Sequence, residues 1–194
     1  MKNRTFGEIP TILQLERELG RIRYRSRFRS MIGSTIGTLA FVAAIAVLVA
    51  TLWLPVLKIY GSSMTPALWD GDLIVASKTS EFAQGDIIAF YFNNKILVKR
   101  IICKAGDWIH MEEDGTVYIN GTLLEEPYLT AKALGDCNIE FPYQVPDGKV
   151  FVMGDHRSIS VDSRNTALGC VAQEQIVGKV VFRIWPFERL GQVE

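Results

Sequence analysis

Hydrophobic and polar residues alternate in two different ways along this chain. Residues 31–54, MIGSTIGTLAFVAAIAVLVATLWL, are almost continuously apolar, and no Asp, Glu, Lys or Arg occurs between Arg29 and Lys58. As a helix rising about 1.5 Å per residue, those 24 residues reach roughly 36 Å, against a bilayer hydrocarbon core of about 30 Å. Beyond residue 57 the apolar runs shorten and become rich in β-branched and aromatic residues: LIVASK (73–78), DIIAFYF (86–92), KILVKRIIC (95–103), TVYI (116–119), KVFVM (149–153) and IVGKVVFRIW (176–185). Such runs, bounded by Gly, Asp and Asn, predict strands. Glu113-Asp114-Gly115 and Asn120-Gly121 are hairpin turn signals a few residues apart. The pattern predicts a mostly β, antiparallel domain behind one N-terminal transmembrane helix. Residues 123–146, with Pro127, Pro142 and Pro146, lack either period and predict an irregular insertion.

A long apolar run near the N-terminus has three readings: a buried core helix, a cleavable signal, or a retained anchor. The apolar part of a signal usually spans about 7 to 15 residues behind a short basic stretch. Here it is longer and follows thirty residues of Arg-rich sequence, which favours the anchor. The formal net charge of zero conceals the asymmetry: residues 1–30 hold eight Lys or Arg against three Glu, a net of +5, so the other 164 residues carry −5. Arg21, Arg23, Arg25, Arg27 and Arg29 flank the start of the run, so the positive-inside rule keeps the N-terminus cytoplasmic and sends the rest outside. Ile12, Leu15, Leu19 and Ile22 recur at helical spacing, as in a basic amphipathic helix on anionic headgroups. The expected organisation is a basic cytoplasmic arm (1–30), an anchor (31–56) and an extracytoplasmic domain (57–194). The lipid bilayer is an expected partner and nucleic acid is not.

Cys103, Cys137 and Cys170 all fall on the expected exported side, where disulfides are permitted, and an odd number leaves at least one unpaired. No Cys-x-x-Cys or His-x-x-x-His spacing occurs, and His110 and His156 are the only histidines, so no metal is expected.

The short segment GSSMTPAL (61–68) places two serines before a methionine, with Pro66 barring a helix. Ser-rich segments are mostly turns. A nucleophilic serine needs a base, and the sequence offers two. His156, in GDHRSISVDSR (154–164), could combine with Asp155 or Asp162 in a Ser-His-Asp arrangement. Lys99, in KILVKRII, shares a strand with Arg100, and both sit among aliphatic neighbours on alternate faces. A cation on a buried strand must find a partner or lose its proton. Arg100 therefore calls for a carboxylate, whereas Lys99 can be neutral.

GSSMTPAL, GDIIAF (85–90), VKRIICKAGD (98–107) and GDHRSISVDSR resemble the four sequence boxes of bacterial type I signal peptidases, and the resemblance covers about residues 59–186. It implies a signal-peptidase-like, barrel-like β domain and a Ser-Lys mechanism without metal or organic cofactor. Ser63 would be the nucleophile and Lys99 the general base. Ser160 would orient the lysine by a hydrogen bond, and Asp162 and Arg164 would form an ion pair behind the site. Asp155 would be the partner of Arg100, and the Ser63 N–H would contribute to the oxyanion hole. Leu57, Ile59, Leu68 and Val98 would shape shallow pockets that select Ala-x-Ala. The chain departs from the family pattern at Gly61, at Ala67 within Pro-Ala-Leu, at Cys103-Lys104-Ala105-Gly106-Asp107 after the lysine strand, and at His156.

The implied activity is cleavage of signal peptides from exported preproteins, its partners, at the outer face of a bacterial cytoplasmic membrane. The same chemistry dedicated to a few surface proteins is one alternative. A non-catalytic anchored β module that binds partners is another, though it would need no nucleophile, base and orienting hydroxyl together.

Overall fold

A computed structural model of the chain describes residues 12–79 and 81–193. Lys2, Arg4 and the rest of the first eleven residues of the basic arm lie outside the described residues. The chain divides into two compact units, residues 1–49 and 50–194.

One helix dominates the N-terminal part. α1 runs Ile12–Trp53, 42 residues, and is long and apolar enough to cross a membrane. The change from basic arm to apolar run is one of composition only, for the helix passes from one to the other without a break. Polar groups inside the apolar run are satisfied locally: Thr35 and Thr38 donate to the carbonyls of Met31 and Ser34, each at 2.9 Å. A helix in hydrocarbon needs that internal satisfaction, because lipid supplies no partners. Its apolar side chains, such as Ile36, Leu39, Phe41 and Val42, are exposed within the chain.

Among the described residues the second unit is built of twelve strands in two antiparallel sheets. The strands are β1 (Val56–Lys58), β2 (Leu73–Ser77), β3 (Ile87–Phe92), β4 (Lys95–Lys104), β5 (Trp108–Met111), β6 (Val117–Ile119), β7 (Thr122–Leu123), β8 (Tyr143–Gln144), β9 (Lys149–Met153), β10 (Val171–Ala172), β11 (Ile176–Trp185) and β12 (Gly191–Gln192). The larger sheet runs β1-β2-β11-β3-β4-β9-β10, with β12 paired to β11; the smaller runs β7-β6-β5-β8. The six β-branched runs all become strands. The six others have two to four residues each, too short for a period to declare itself.

Turn chemistry fixes the register. Asn120 and Gly121 take φ of 52° and 80° between β6 and β7, the left-handed pair that a tight hairpin requires. Asn93 and Asn94 do the same between β3 and β4, at 45° and 61°. That turn aligns Ile88 with Lys99 and Ile87 with Arg100.

Among the described residues, three apolar clusters hold the unit. Ile59, Met64, Leu68, Ile74, Ile87 and Val180 pack on one face of the larger sheet. Ile88, Phe90, Ile101, Val150, Val152 and Val171 form a second cluster, as alternation from Ile87 to Ile88 demands. Ile102, Cys103, Ile109, Val117, Phe151 and Met153 join the two sheets. Cys103, Cys137 and Cys170 are all unpaired. Burial is the first cause that raises the Cys103 thiol pKa, to about 12, with Asp107 and Cys170 adding to it. Between β7 and β9 the chain carries no regular element except the short β8.

Candidate active site

GSSMTPAL is a turn, and a tightly held one. Its ends are zipped by main-chain bonds: Ile59 N–H donates to Asp72 O at 2.8 Å, and Gly71 N–H to Ile59 O at 3.0 Å. Inside the loop, the Thr65 N–H and hydroxyl both donate to Ser62 O, at 3.1 and 2.8 Å, and Leu68 N–H donates to Met64 O at 2.8 Å. Met64 and Leu68 thereby point into the core beside Ile59 and act as pegs. Ser63, half-buried, stands between two buried anchors, Ile59 and Met64.

Lys99 reaches it from the middle of β4. Its Nζ donates to Ser63 Oγ at 2.7 Å. The lysine is only 4% exposed, and desolvation lowers its pKa to about 8. Asp162 and Asp155 pull upward and Arg164 downward, but burial is the largest effect. Of the two bases that the sequence offers, this is the one placed on the serine. The His156 ring is engaged elsewhere, with Nδ1 and Thr65 Oγ1 sharing a 2.9 Å hydrogen bond. His156 contributes its main chain instead: its N–H donates to Ser63 O at 3.0 Å.

Arg100, next along β4, points to the other face. Its Nε and Nη2 donate to the two oxygens of Asp155 at 2.9 and 2.8 Å, and Nη1 donates to Gly85 O at 2.8 Å. Its guanidinium also lies 4.0 Å from the centre of the Tyr128 ring. Asp162 and Arg164 form a second buried fork, with Nε and Nη2 each 2.8 Å from the carboxylate. Burial pushes the Asp162 pKa up, but the Arg164 hydrogen bonds and charge, aided by the Gly154 N–H, outweigh it and hold the carboxyl below its usual range.

Two expected positions differ. Ser160 is fully buried, but among the described residues no hydrogen bond joins its Oγ to Lys99; its side chain helps to hold the Asp162 carboxyl low. The hydroxyl is instead packed against Gly154. A Cβ on Gly154 would lie 2.3 Å from Ser160 Oγ and 2.5 Å from Ser63 O, which is why only glycine fits there. Leu68, expected in the substrate pockets, is 0% exposed and belongs to the core; the turn at Met64 carries it beneath the surface.

Leu57, Ile59 and Val98 line a cleft of about 560 Å³ whose lining also includes Ser63 and Lys99. The larger sheet curls so that β1, its first strand, and the first half of β4 share this cleft. β9 pairs with β4 only from Arg100 onward, and β1 pairs on one side only, with β2. Both walls therefore offer a free strand edge among the described residues.

Sequence reasoning missed the clamp on the insertion. Arg157 and Glu126 form a fully buried ion pair, and Tyr128 donates to Glu126 at 3.0 Å. Arg164 Nη1 donates to Leu134 O at 2.6 Å and Ala133 O at 3.2 Å. Two arginines of the GDHRSISVDSR segment thus tie down residues 126–134. The available signal was Arg157 itself, a cation inside a segment otherwise needed for packing. Among the described residues, no three His, Cys, Asp or Glu side chains cluster to hold a metal ion.

Residues 32–185 match the family described as signal peptidase, peptidase S26. The chain is 42% identical over 147 residues to signal peptidase I T of Bacillus subtilis (strain 168), covering 69% of this chain and 75% of that one. It is 39% identical over 150 residues to signal peptidase IB of Staphylococcus aureus (strain COL), covering 66% of this chain and 76% of the relative. A solved structure of a signal peptidase I from Enterococcus faecalis V583 aligns at TM-score 0.42 and 31% identity, over 51% of this chain and 96% of that chain. Family-wide similarity extending from within the apolar run to the end of β11 sets aside the non-catalytic module: the chain belongs to the peptidase S26 family of signal peptidases and is a serine endopeptidase.

Proposed function

We propose that the protein is anchored in a bacterial cytoplasmic membrane by residues 31–56 and cleaves signal peptides from exported preproteins with a Ser63–Lys99 dyad. The observation that carries this reading is the 2.7 Å contact between Ser63 Oγ and the Nζ of a buried lysine. A lysine with a pKa near 8 is about one-fifth neutral at pH 7.4, against roughly one in a thousand for an exposed one. In that neutral form the amine accepts the Ser63 proton as Oγ attacks the scissile carbonyl, and the resulting ammonium returns the proton to the leaving amine. Among the described residues the Ser63 N–H makes no main-chain hydrogen bond and is available to the oxyanion. Water, deprotonated by the same amine, then releases the acyl group from Ser63.

An extended peptide can add to the free edges of β1 and β4, so that main-chain pairing sets register while Leu57, Ile59 and Val98 select small side chains of an Ala-x-Ala site. Arg100–Asp155 and Asp162–Arg164 hold the surrounding backbone. Ser160 lies within the segment they fix, and rotation of its buried hydroxyl would offer the ammonium an acceptor once Ser63 is acylated.

The test is incubation of the detergent-solubilised protein with a preprotein bearing an Ala-x-Ala site, followed by mapping of the new N-terminus. Cleavage after the second Ala by the wild type, and none by Ser63→Ala, is expected. Cleavage at scattered positions, or an active Ser63→Ala variant, would overturn the reading.

A further inference from the structure

The loop carrying Ser63 is gripped from outside by a second charged cluster that touches neither Ser63 nor Lys99. Its centre is Asp72, where the loop closes, with a side chain 0% exposed. Asp72 Oδ2 accepts the Trp69 N–H at 3.0 Å and lies 3.2 Å from Arg183 Nη1. Oδ1 lies 3.0 Å from Arg189 Nη2, an ion pair out of line for a hydrogen bond. Arg183, on β11, also sends Nη1 to Ala67 O at 2.9 Å and Nε to Arg189 O at 2.6 Å. The Arg189 guanidinium lies 5.5 Å from the centre of the Trp69 ring. Four segments therefore converge on one carboxylate: both ends of the loop's second half, strand β11 and the 3-10 turn Phe187–Arg189.

A buried carboxylate set between two guanidiniums adds little net stability, because desolvation offsets attraction; what such a cluster does is select one geometry. Here the geometry selected is that of the loop between Met64 and Asp72, and Ser63 immediately precedes it. Displacement of a reacting group by about 1 Å can cost on the order of a hundredfold in rate.

We propose that Asp72, Arg183 and Arg189 are positioning residues that hold the Ser63 loop at its working distance from Lys99. This rests on the reading of Ser63 as nucleophile and Lys99 as base. Arg189 is the place to test it, since its side chain is 37% exposed and can be replaced without opening the core. Full-length Arg189→Ala and Arg189→Lys in detergent are compared with wild type on the Ala-x-Ala preprotein, with Ser63→Ala and Lys99→Ala as references. Arg189→Ala should lower kcat about tenfold or more with KM within about twofold, at an unchanged folded fraction. Its acid limb should stay at the wild-type pH, because the burial of Lys99 is untouched. Arg189→Lys, which keeps a cation beside Oδ1, should recover most of kcat. Asp72→Asn should repeat the kcat loss if it folds; if it does not, the Arg189 pair still decides. Inactive references with a wild-type kcat in Arg189→Ala, or a kcat loss that only follows the folded fraction, would overturn the positioning role alone. An active Ser63→Ala or Lys99→Ala would overturn the dyad and this role with it.

Discussion

Lys99 occupies a place where its charge is costly, and the cost has a sign that can be checked. Its folded pKa is about 8, while an unfolded lysine titrates near 10.4. Below pH 8 both states are charged and the folded state bears the whole desolvation penalty. Between roughly pH 8 and 10.4 the unfolded state binds more protons, so stability rises with pH; above that the penalty is gone. The difference corresponds to about 3 kcal/mol as an upper bound. Lys99→Met should therefore be inactive yet more stable at pH 7, by about 1 to 3 kcal/mol, and the gain should shrink as pH approaches 10. A Lys99→Met protein that melts below wild type at pH 7 would contradict a buried, destabilised amine. The same pKa places the acid limb of activity near pH 8, whereas an imidazole base would place it roughly at pH 6 to 7. Lys99→Arg should be inactive as well, since a guanidinium cannot accept the serine proton. The sequence made this residue readable because a lysine amid Ile, Leu and Val on a strand is anomalous by itself. Leu68 and the Ser160 hydroxyl were not readable, for the first depends on one turn inside a loop and the second on a rotor position beside Gly154.

Among elements, strand β4 does the most, presenting Lys99 to the cleft on one face and Arg100 to Asp155 on the other. Its identity was plain from nine consecutive residues of strand character, and so was that of the other long strands. The short strands β5, β7, β8, β10 and β12 were hidden because two to four residues carry no period and take their conformation from the partner they pair with. The insertion illustrates the same limit: its irregularity was evident from three prolines, but the Glu126–Arg157 clamp depends on residues some thirty positions apart meeting in space. Arg100–Asp155 couples β4 to the segment that follows β9, with both side chains at most 3% exposed. Removing one partner leaves the other charge stranded. Asp155→Ala should cost about 3 to 5 kcal/mol, read as a lowered urea midpoint with the slope unchanged, and Arg100→Met with Asp155→Leu should restore much of it. A single Asp155→Ala variant as stable as wild type would show that the pair carries no such weight.

At the scale of the whole molecule, one chain joins a lipid-suited helix to a β unit whose proposed substrates are exported preproteins. The apolar run needed only hydropathy to be seen, and Ile12, Leu15, Leu19 and Ile22 pointed to a helix in the arm; that one helix passes unbroken from arm to apolar run was not evident, because five alternating arginines mask the helical period between them. The proposed orientation rests on charge: residues 1–30 carry +5 and the remainder −5, and the basic end is expected to stay in the cytoplasm. With a tag at Met1, protease added to intact spheroplasts should digest the β unit and leave a protected, tagged fragment containing the arm and most of α1. Permeabilised cells should lose the tag too. A protected β unit would invert the topology and deny the cleft its exported substrates. Loss of the tag before any protease is added, with an N-terminus mapped inside residues 31–54, would mean that the apolar run is itself removed. The charge argument makes a further demand on the same assay. Replacing Arg21, Arg23, Arg25, Arg27 and Arg29 by Asn removes the positive flank while leaving the apolar run intact, so insertion should persist while the single orientation is lost, and a fraction of the β unit should become protected. Uniform orientation in that variant would place the topological signal outside the arginine cluster.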